Sequence, residues 1–216
     1  MKSSLTRRFG TTLGTATVAL ATVLLAAAPA SAAAQTVTYD CQATTGFGNT
    51  PASFERTADA TAPETVAVGD EFSISISSAP ATVPSTASGL TVNSVRSFRS
   101  YYTVPAHTSL VSATVSGGDG LGSAEPVVSV SGSTVLVTLD ATIPGGATYT
   151  MPTLTLNLQA TEEGTVETKL GGTSYADPGL WFITQVDFLG SGLDAWTSCF
   201  PSPNPVLATT TITAAA

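Results

Sequence analysis

The stretch Val127–Leu158 reads VVSVSGSTVLVTLDATIPGGATYTMPTLTLNL, and apolar residues recur in it at every second position. The alternation runs through three segments, Val128–Val130, Val135–Leu139 and Leu154–Leu158. A period of two places successive side chains on opposite faces of a β-strand, one face buried and the other in water. The turn Ser131-Gly132-Ser133 predicts that the first two segments form a hairpin, and Pro144-Gly145-Gly146 separates them from the third. The stretch therefore predicts an antiparallel sheet.

The rest of the chain repeats this pattern, with turn residues at intervals of roughly eight to twelve positions. No stretch has a convincing helical period. The further predicted strands are Thr36–Cys41, Phe54–Asp59, Glu71–Ser77, Leu90–Val104, Ser109–Ser116, Thr165–Leu170, Leu180–Phe188, Trp196–Phe200 and Val206–Thr213. Many short strands without helices indicate an all-β sandwich or barrel.

Three of these strands have distinct features. Phe54–Asp59 is short and reads as an edge strand. Leu90–Val104 breaks the alternation, which predicts a β-bulge. Leu180–Ile183 is apolar at four successive positions, which predicts the start of a central strand covered on both faces.

Residues 1–32 have the pattern of a secretory signal peptide. An apolar run, Thr15–Ala28, is too short to cross a bilayer comfortably, and Ala30-Ser31-Ala32 is a typical cleavage site. The run follows three basic residues, Lys2, Arg7 and Arg8. The alternative is an N-terminal membrane anchor, but the small-residue cleavage site favours the signal peptide. We therefore expect a secreted protein, extracellular or associated with the cell wall, whose mature chain does not insert stably into the membrane.

The mature chain, residues 33–216, would be strongly acidic. Three of the seven basic residues fall in the signal peptide, which leaves four against 15 acidic residues, a net charge of −11. A field of this sign repels nucleic acid and anionic lipid surfaces, so we expect no nucleic-acid partner. The charge suits solubility, or the capture of a cation or a basic partner. The 184 mature residues suit one large β-sandwich or two small ones, and the lack of a repeat that would divide the chain into similar halves favours a single domain.

The two cysteines, Cys41 and Cys199, lie near the two ends of the mature chain. Because exported proteins meet an oxidising environment, we expect these residues to form a disulfide. The alternative is a free reactive thiol, but the chain contains no redox-type Cys-x-x-Cys motif. The bridge would connect the first mature strand to one of the last.

Most catalytic and metal-binding motifs are absent from the sequence. His107 is the only histidine, and neither a Gly-x-Ser-x-Gly motif nor a metal-type cysteine pair is present. We therefore expect a surface histidine, no cofactor and no metal. The glycine-rich loop around Asp119 supplies one carboxylate, whereas calcium takes about six to eight oxygen ligands. A mobile hairpin loop is the expected structure there, and a calcium site shared with Asp70 or Glu71 is the open alternative.

Two pairs of acidic residues are candidates for glycoside hydrolysis, which needs two carboxylates about 5 to 9.5 Å apart. Glu162 and Glu163 are neighbours in a predicted turn and would point apart in an extended chain. Asp187 and Asp194 flank a glycine-containing turn and could converge. A small secreted hydrolase with such an acid pair is the less favoured hypothesis.

Five aromatic residues provide candidates for a binding surface, namely Tyr101, Tyr102, Tyr175, Trp181 and Trp196. Burial in the core is the alternative, because large aromatic side chains dominate core packing. Tyr101 and Tyr102 are consecutive, so one of them faces outward in a regular strand. Arg99 is close by, and it would share a face with Arg96 only if a bulge intervened. The candidate binding residues are Arg99, Tyr101, Tyr102, Tyr175 and Trp196, with no catalytic residue.

Four segments resemble small secreted Ig-like proteins of actinobacteria. They are APASA at residues 28–32, TYDC at 38–41, VGDEFSISI at 68–76 and CFP at 199–201. The resemblance implies an antiparallel Ig-like β-sandwich and carries no catalytic residues. Our leading hypothesis is a non-enzymatic binding or structural module at or outside the cell envelope, with a protein or polysaccharide partner. A carbohydrate-binding module that uses exposed aromatics is the first alternative.

Overall fold

The structure is a computed structural model and describes residues 29–31 and 33–215. Within that part the regular elements are strands, as the sequence pattern predicts, and no helix capable of crossing a membrane occurs there. The strands are β1 (Pro29–Ser31), β2 (Gln35–Thr45), β3 (Gly48–Pro63), β4 (Thr65–Ala67), β5 (Glu71–Ser78), β6 (Ala81–Thr82), β7 (Thr86–Ala87), β8 (Leu90–Thr103), β9 (Thr108–Ser116), β10 (Val127–Ser131), β11 (Thr134–Pro144), β12 (Thr148–Tyr149), β13 (Thr153–Ala160), β14 (Gly164–Thr168), β15 (Leu180–Phe188), β16 (Ser191–Pro201) and β17 (Ala208–Thr213). The predicted signal peptide lies outside the described residues except for β1, which pairs with the end of β3.

The main sheet is antiparallel and folds over itself to form the sandwich. Its strand order is β10-β11-β8-β15-β16-β2-β3-β5-β13-β9. The long strand β3 pairs with β2 along residues 48–58 and with β5 along residues 58–61, so it links the two layers. Side chains of β11 and β2 then meet those of β5 and β13 in one core.

The predicted hairpin is present, and the third segment of the stretch belongs to the other layer. Val130 lies opposite Val135 across the turn between β10 and β11. Strand β13 contains Leu154, Leu156 and Leu158, all fully buried, and pairs with β5 and β9 rather than with β11.

Two hydrophobic clusters fill the interior. The first lies between the two layers and includes Ile74 and Leu156. The second lies beneath the small β6–β12 sheet and includes Leu139 and Ile143. A chain of aromatic contacts joins the two clusters, with ring centroids 5.1 to 6.4 Å apart, through Tyr39, Phe54, Phe182, Phe98 and Tyr149. A third sheet, β14-β17-β4, adds Val166 and Ile212 to the first cluster, and its β4–β17 pair is parallel, unlike the rest.

The disulfide between Cys41 and Cys199 is confirmed. The two residues lie directly opposite each other on β2 and β16, and both are buried. The bridge therefore links two neighbouring strands of one layer, across a sequence separation of 158 residues.

Two strands are present as predicted, but the predictions of what surrounds them were wrong. Phe54–Asp59 is the middle of β3, with β2 and β5 as its neighbours, and is no edge strand. Strand β15 is central within its sheet, but only its inner face is covered. Trp181 and Ile183 lie on the outer face and are partly exposed.

Candidate functional site

The outer face of strands β8, β15, β16 and β2 carries both tryptophans of the protein. On β16, Ala195, Thr197 and Cys199 are buried, so the alternating residues Trp196 and Phe200 point outward. This surface, called the aromatic face below, consists of Arg99, Tyr101, Tyr175, Trp181, Trp196 and Phe200.

A β-bulge in β8 brings two arginines to this face. The register between β8 and β15 shifts between Trp181, which pairs with Arg99, and Ile183, which pairs with Arg96. Ser97 within the bulge adopts a φ of 56°. The extra residue turns Arg96 and Arg99 to the same side, where a regular strand would have separated them. A second register shift, where Gln185 and Val186 pair with Ser94 and Val92, confirms the bulge predicted from the broken alternation of Leu90–Val95.

Arg99 stacks on Trp181. The guanidinium carbon lies 4.6 Å from the centroid of the tryptophan ring, within the range of a cation–π interaction. The contact holds the exposed arginine in place on one side of Trp181. Within the described residues, Arg99 forms no ion pair, so its charge is available to a ligand.

Arg96 forms a bidentate ion pair with Asp194. Its two terminal nitrogens lie 2.6 and 3.1 Å from the two carboxylate oxygens. The hydrogen bonds from Arg96 lower the pKa of Asp194, and the same bonds raise the pKa of Arg96. The pair connects β8 to β16 across β15 and stiffens the centre of the face.

We expect Asp194→Asn to lower stability at neutral pH but not in strong acid. Because the folded-state pKa of Asp194 is depressed, the pair contributes above the unfolded-state pKa and is lost as pH falls through the folded value. The pair is partly exposed, so the cost at pH 7 should be at most about 1 kcal/mol. Urea unfolding over a series of pH values from 7 into the acid range measures the difference. Asp140→Asn, which changes an exposed carboxylate on β11, is the control, and a cost that does not shrink as the pH falls would contradict the expectation.

Exposed apolar side chains continue from Trp196 on the aromatic face to two neighbouring hairpin turns. Trp196 is 46% exposed. The β2–β3 turn carries Phe47 (78% exposed), whose ring lies 5.5 Å from that of Phe188 at the adjacent β15–β16 turn. Leu189 in the second turn is 90% exposed. These three turn residues were not predicted from the sequence, although apolar residues inside glycine-containing turns are a signal for exposure.

Tyr175 borders the aromatic face from the loop before β15. Its hydroxyl donates to Asp40 Oδ1 at 2.8 Å, and its ring packs edge-on against Phe200. The hydrogen bond to the Asp40 carboxylate raises the pKa of Tyr175. The loop is therefore tied to β2 and β16.

Tyr102 is separated from the other candidate residues. Arg99, Tyr101, Tyr175 and Trp196 share the outer face, whereas Tyr102 points into the sandwich and packs on the first cluster. Burial raises its pKa. The alternation of β8 places consecutive tyrosines on opposite faces, so Tyr102 cannot contribute to the aromatic face.

The polar groups considered for catalysis are dispersed. His107 Nδ1 lies 2.9 Å from Glu162 Oε1 at the surface. Asp194 pairs with Arg96, and Asp187 accepts the backbone N–H of Gly190 at 2.9 Å. Within the described ranges, no three residues of the metal-ligating types gather.

The glycine-rich loop around Asp119 is attached to the body of the protein, whereas the sequence predicts a mobile hairpin loop there. Asp119 and Thr150 exchange two backbone hydrogen bonds of 3.0 and 2.9 Å, and Leu121 is buried in the second cluster. Gly120 has a φ of 68°, and a Cβ there would lie 2.5 Å from the Thr148 carbonyl oxygen. Glycine is required at this position because both the φ angle and the close approach exclude a side chain.

The chain resembles known proteins in its fold. No family model and no curated protein matches the chain. The "Putative membrane anchored protein" from Corynebacterium diphtheriae has a similar solved structure, with a TM-score of 0.57 and 21% identity over 85% of this chain. This chain spans 38% of the length of that structure. A non-cellulosomal cohesin from Archaeoglobus fulgidus matches with a TM-score of 0.33 and 12% identity, over 72% of this chain and 88% of its own. Corynebacterium is an actinobacterium, the group named by the sequence resemblance.

Proposed function

We propose that the mature chain is a secreted, non-enzymatic binding module at or outside the cell envelope, and that its aromatic face contacts a protein partner. The observation that carries this proposal is an outward-facing pair of tryptophans beside an arginine without a carboxylate partner in the described part of the chain. Tryptophan, tyrosine and arginine are the residues that most often dominate the binding energy of protein interfaces.

The face is already ordered before any partner binds. The Arg99–Trp181 stack, the Arg96–Asp194 pair and the Tyr175–Asp40 hydrogen bond each fix a long side chain. Ordering such side chains on binding costs about 0.5 to 1.5 kcal/mol each, so this arrangement favours affinity. The exposed charge of Arg99 calls for an acidic group on the partner.

Three observations support the location outside the cell. Residues 1–32 have a signal-peptide pattern, and the mature chain has a buried disulfide, which is typical of oxidising compartments. The structural neighbour from Corynebacterium is named as membrane anchored. An envelope protein is therefore the partner class to test first.

We expect Trp196→Ala to weaken binding to the partner by about 30-fold or more, a typical hot-spot loss. Envelope proteins retained by the immobilised mature chain would be purified individually, and Kd measured by calorimetry. Val111→Ala, at a half-exposed position on the other layer, is the matched control. Equal affinity of the two variants would exclude the aromatic face as the contact surface.

A polysaccharide is the second candidate ligand. The exposed ring of Trp196 lies on the same face as Ser198 and Gln42, whose polar groups could bond sugar hydroxyls. The test is retention of the protein on insoluble cell-wall or environmental glycans. Retention that Trp196→Ala abolishes and Val111→Ala keeps would identify a glycan, and not a protein, as the ligand. Turnover in an activity screen that is lost on substitution of His107 or an acid pair would overturn both binding proposals.

A further inference from the structure

An arginine points into the interior of the sandwich. Arg56 follows the alternation of β3, in which Ala58 and Ala60 are buried, and its register partner on β2 is the buried Val37. These inward neighbours have small side chains, and Arg56 itself is half-buried. A charged group in such surroundings is costly unless it is paired and hydrogen-bonded.

The guanidinium is incompletely satisfied within the described part of the chain. One terminal nitrogen donates to Ser78 Oγ at 2.6 Å. Nε is buried and has no acceptor among the described residues, and no carboxylate pairs with Arg56 there. An arginine has five N–H donors, and leaving a buried donor unpaired costs about 1 to 3 kcal/mol.

A small cavity lies next to this arginine, and its lining is partly polar. Its volume is about 30 Å³, and apolar residues line it together with Tyr39, Ser78, Ser100, Tyr102 and Arg56. Among the described residues, no acidic one lines it. Burial raises the pKa of both tyrosines above the usual value, although the charge of Arg56 acts in the opposite direction. Both tyrosines therefore keep their O–H groups at neutral pH and can donate hydrogen bonds.

The size of the cavity restricts what can enter. A water molecule needs about 10 to 15 Å³ of such space, so the cavity has room for one small ion or about two waters. A cation is excluded by the guanidinium and by the lack of carboxylate ligands. A group with negative charge would accept from the hydroxyls and neutralise Arg56.

We propose that this cavity binds a small monovalent anion, either a halide or a carboxylate group, held by Arg56 and the hydroxyls of Tyr39, Ser78, Ser100 and Tyr102. The anion connects β3 and β5 of one part of the sheet with β8 of the facing layer. Because these strands separate on unfolding, anion binding stabilises the folded state.

The test is thermal unfolding of the mature protein at constant ionic strength, with sodium gluconate replaced stepwise by sodium chloride or sodium formate. Gluconate is too large for the cavity. If the anion binds the folded state and not the unfolded state, Tm should rise by about 2 to 4 °C and then level off with at least one of the two small anions. A rise with chloride assigns a halide site, and a rise with formate assigns a carboxylate site.

Arg56→Gln is expected to lose this dependence, whereas Lys169→Gln removes the same charge from an exposed position outside the aromatic face and should keep it. Should Arg56→Gln fail to fold, crystals of the unaltered protein soaked in bromide provide the second measurement. An anomalous peak within hydrogen-bond distance of Arg56 supports a halide site. Equal Tm values in all three salts, together with water alone beside Arg56 in the bromide-soaked and formate-soaked crystals, would overturn the proposal.

Discussion

Replacing both Cys41 and Cys199 with alanine is expected to lower the free energy of unfolding by about 5 kcal/mol. The bridge joins residues separated by 158 positions. In the chain-entropy model, closing a loop of that length lowers the entropy of the unfolded chain and so raises its free energy by this amount. Domains are commonly stable by only about 5 to 15 kcal/mol, so the loss removes a large share of the total. Urea unfolding followed by circular dichroism under oxidising conditions measures it.

The reduced protein provides the control for this prediction. Reduction of the unaltered protein should produce a loss similar to that of the double variant, and reductant should leave the double variant unchanged. Both cysteines are buried in the first cluster, so each alanine also removes a sulfur from the core. A total loss below about 1 kcal/mol would show that the unfolded chain is not constrained by the bridge.

Local features of the fold are predictable from the sequence because they depend on neighbouring residues. The period of two in Val135–Leu139 and the short turn before it are sufficient for the β10–β11 hairpin. The pairing of Leu154–Leu158 with β5 and β9 joins segments that are far apart in the chain. The alternation of a strand determines its two faces but not its neighbours.

The candidate site shows the same limit. Four apolar residues in a row, Leu180–Ile183, predict burial on both faces, yet the outer side of β15 is uncovered. Hydrophobicity alone does not distinguish a covered face from an exposed aromatic one. The bulge near Val92 is readable from the broken alternation, but the bulge at Ser97 that aligns Arg96 and Arg99 requires the structure.

The inward position of Arg56 does not follow from the prediction of an edge strand over Phe54–Asp59. The signal is nevertheless present, since Phe54, Arg56, Ala58 and Ala60 occupy alternate positions and form one face of β3. A single arginine in a row of apolar and small residues indicates an inward-facing charge once both faces of the strand are assigned. What surrounds it, including the tyrosine hydroxyls, comes from β2 and β8 and requires the structure.

Leu156→Ala is expected to lower the free energy of unfolding by about 2 to 5 kcal/mol. Leu156 is 1% exposed, lies between Ile74 and Ala113 of the neighbouring strands, and belongs to the cluster in which the two layers meet. The alanine would remove buried contacts and leave a cavity that rigid flanking strands cannot close. The measurement is the urea midpoint and slope of the purified variant.

Leu136→Ala is the matched control, because it makes the same chemical change on the outward face of β11 opposite Tyr101. A partly exposed leucine loses less buried area, so this variant should cost clearly less than Leu156→Ala. The contrast between the two leucines tests the packing of the sandwich itself. If the sheet did not fold over with β13 facing the interior, Leu156 would lie on an open face and the two substitutions would cost the same.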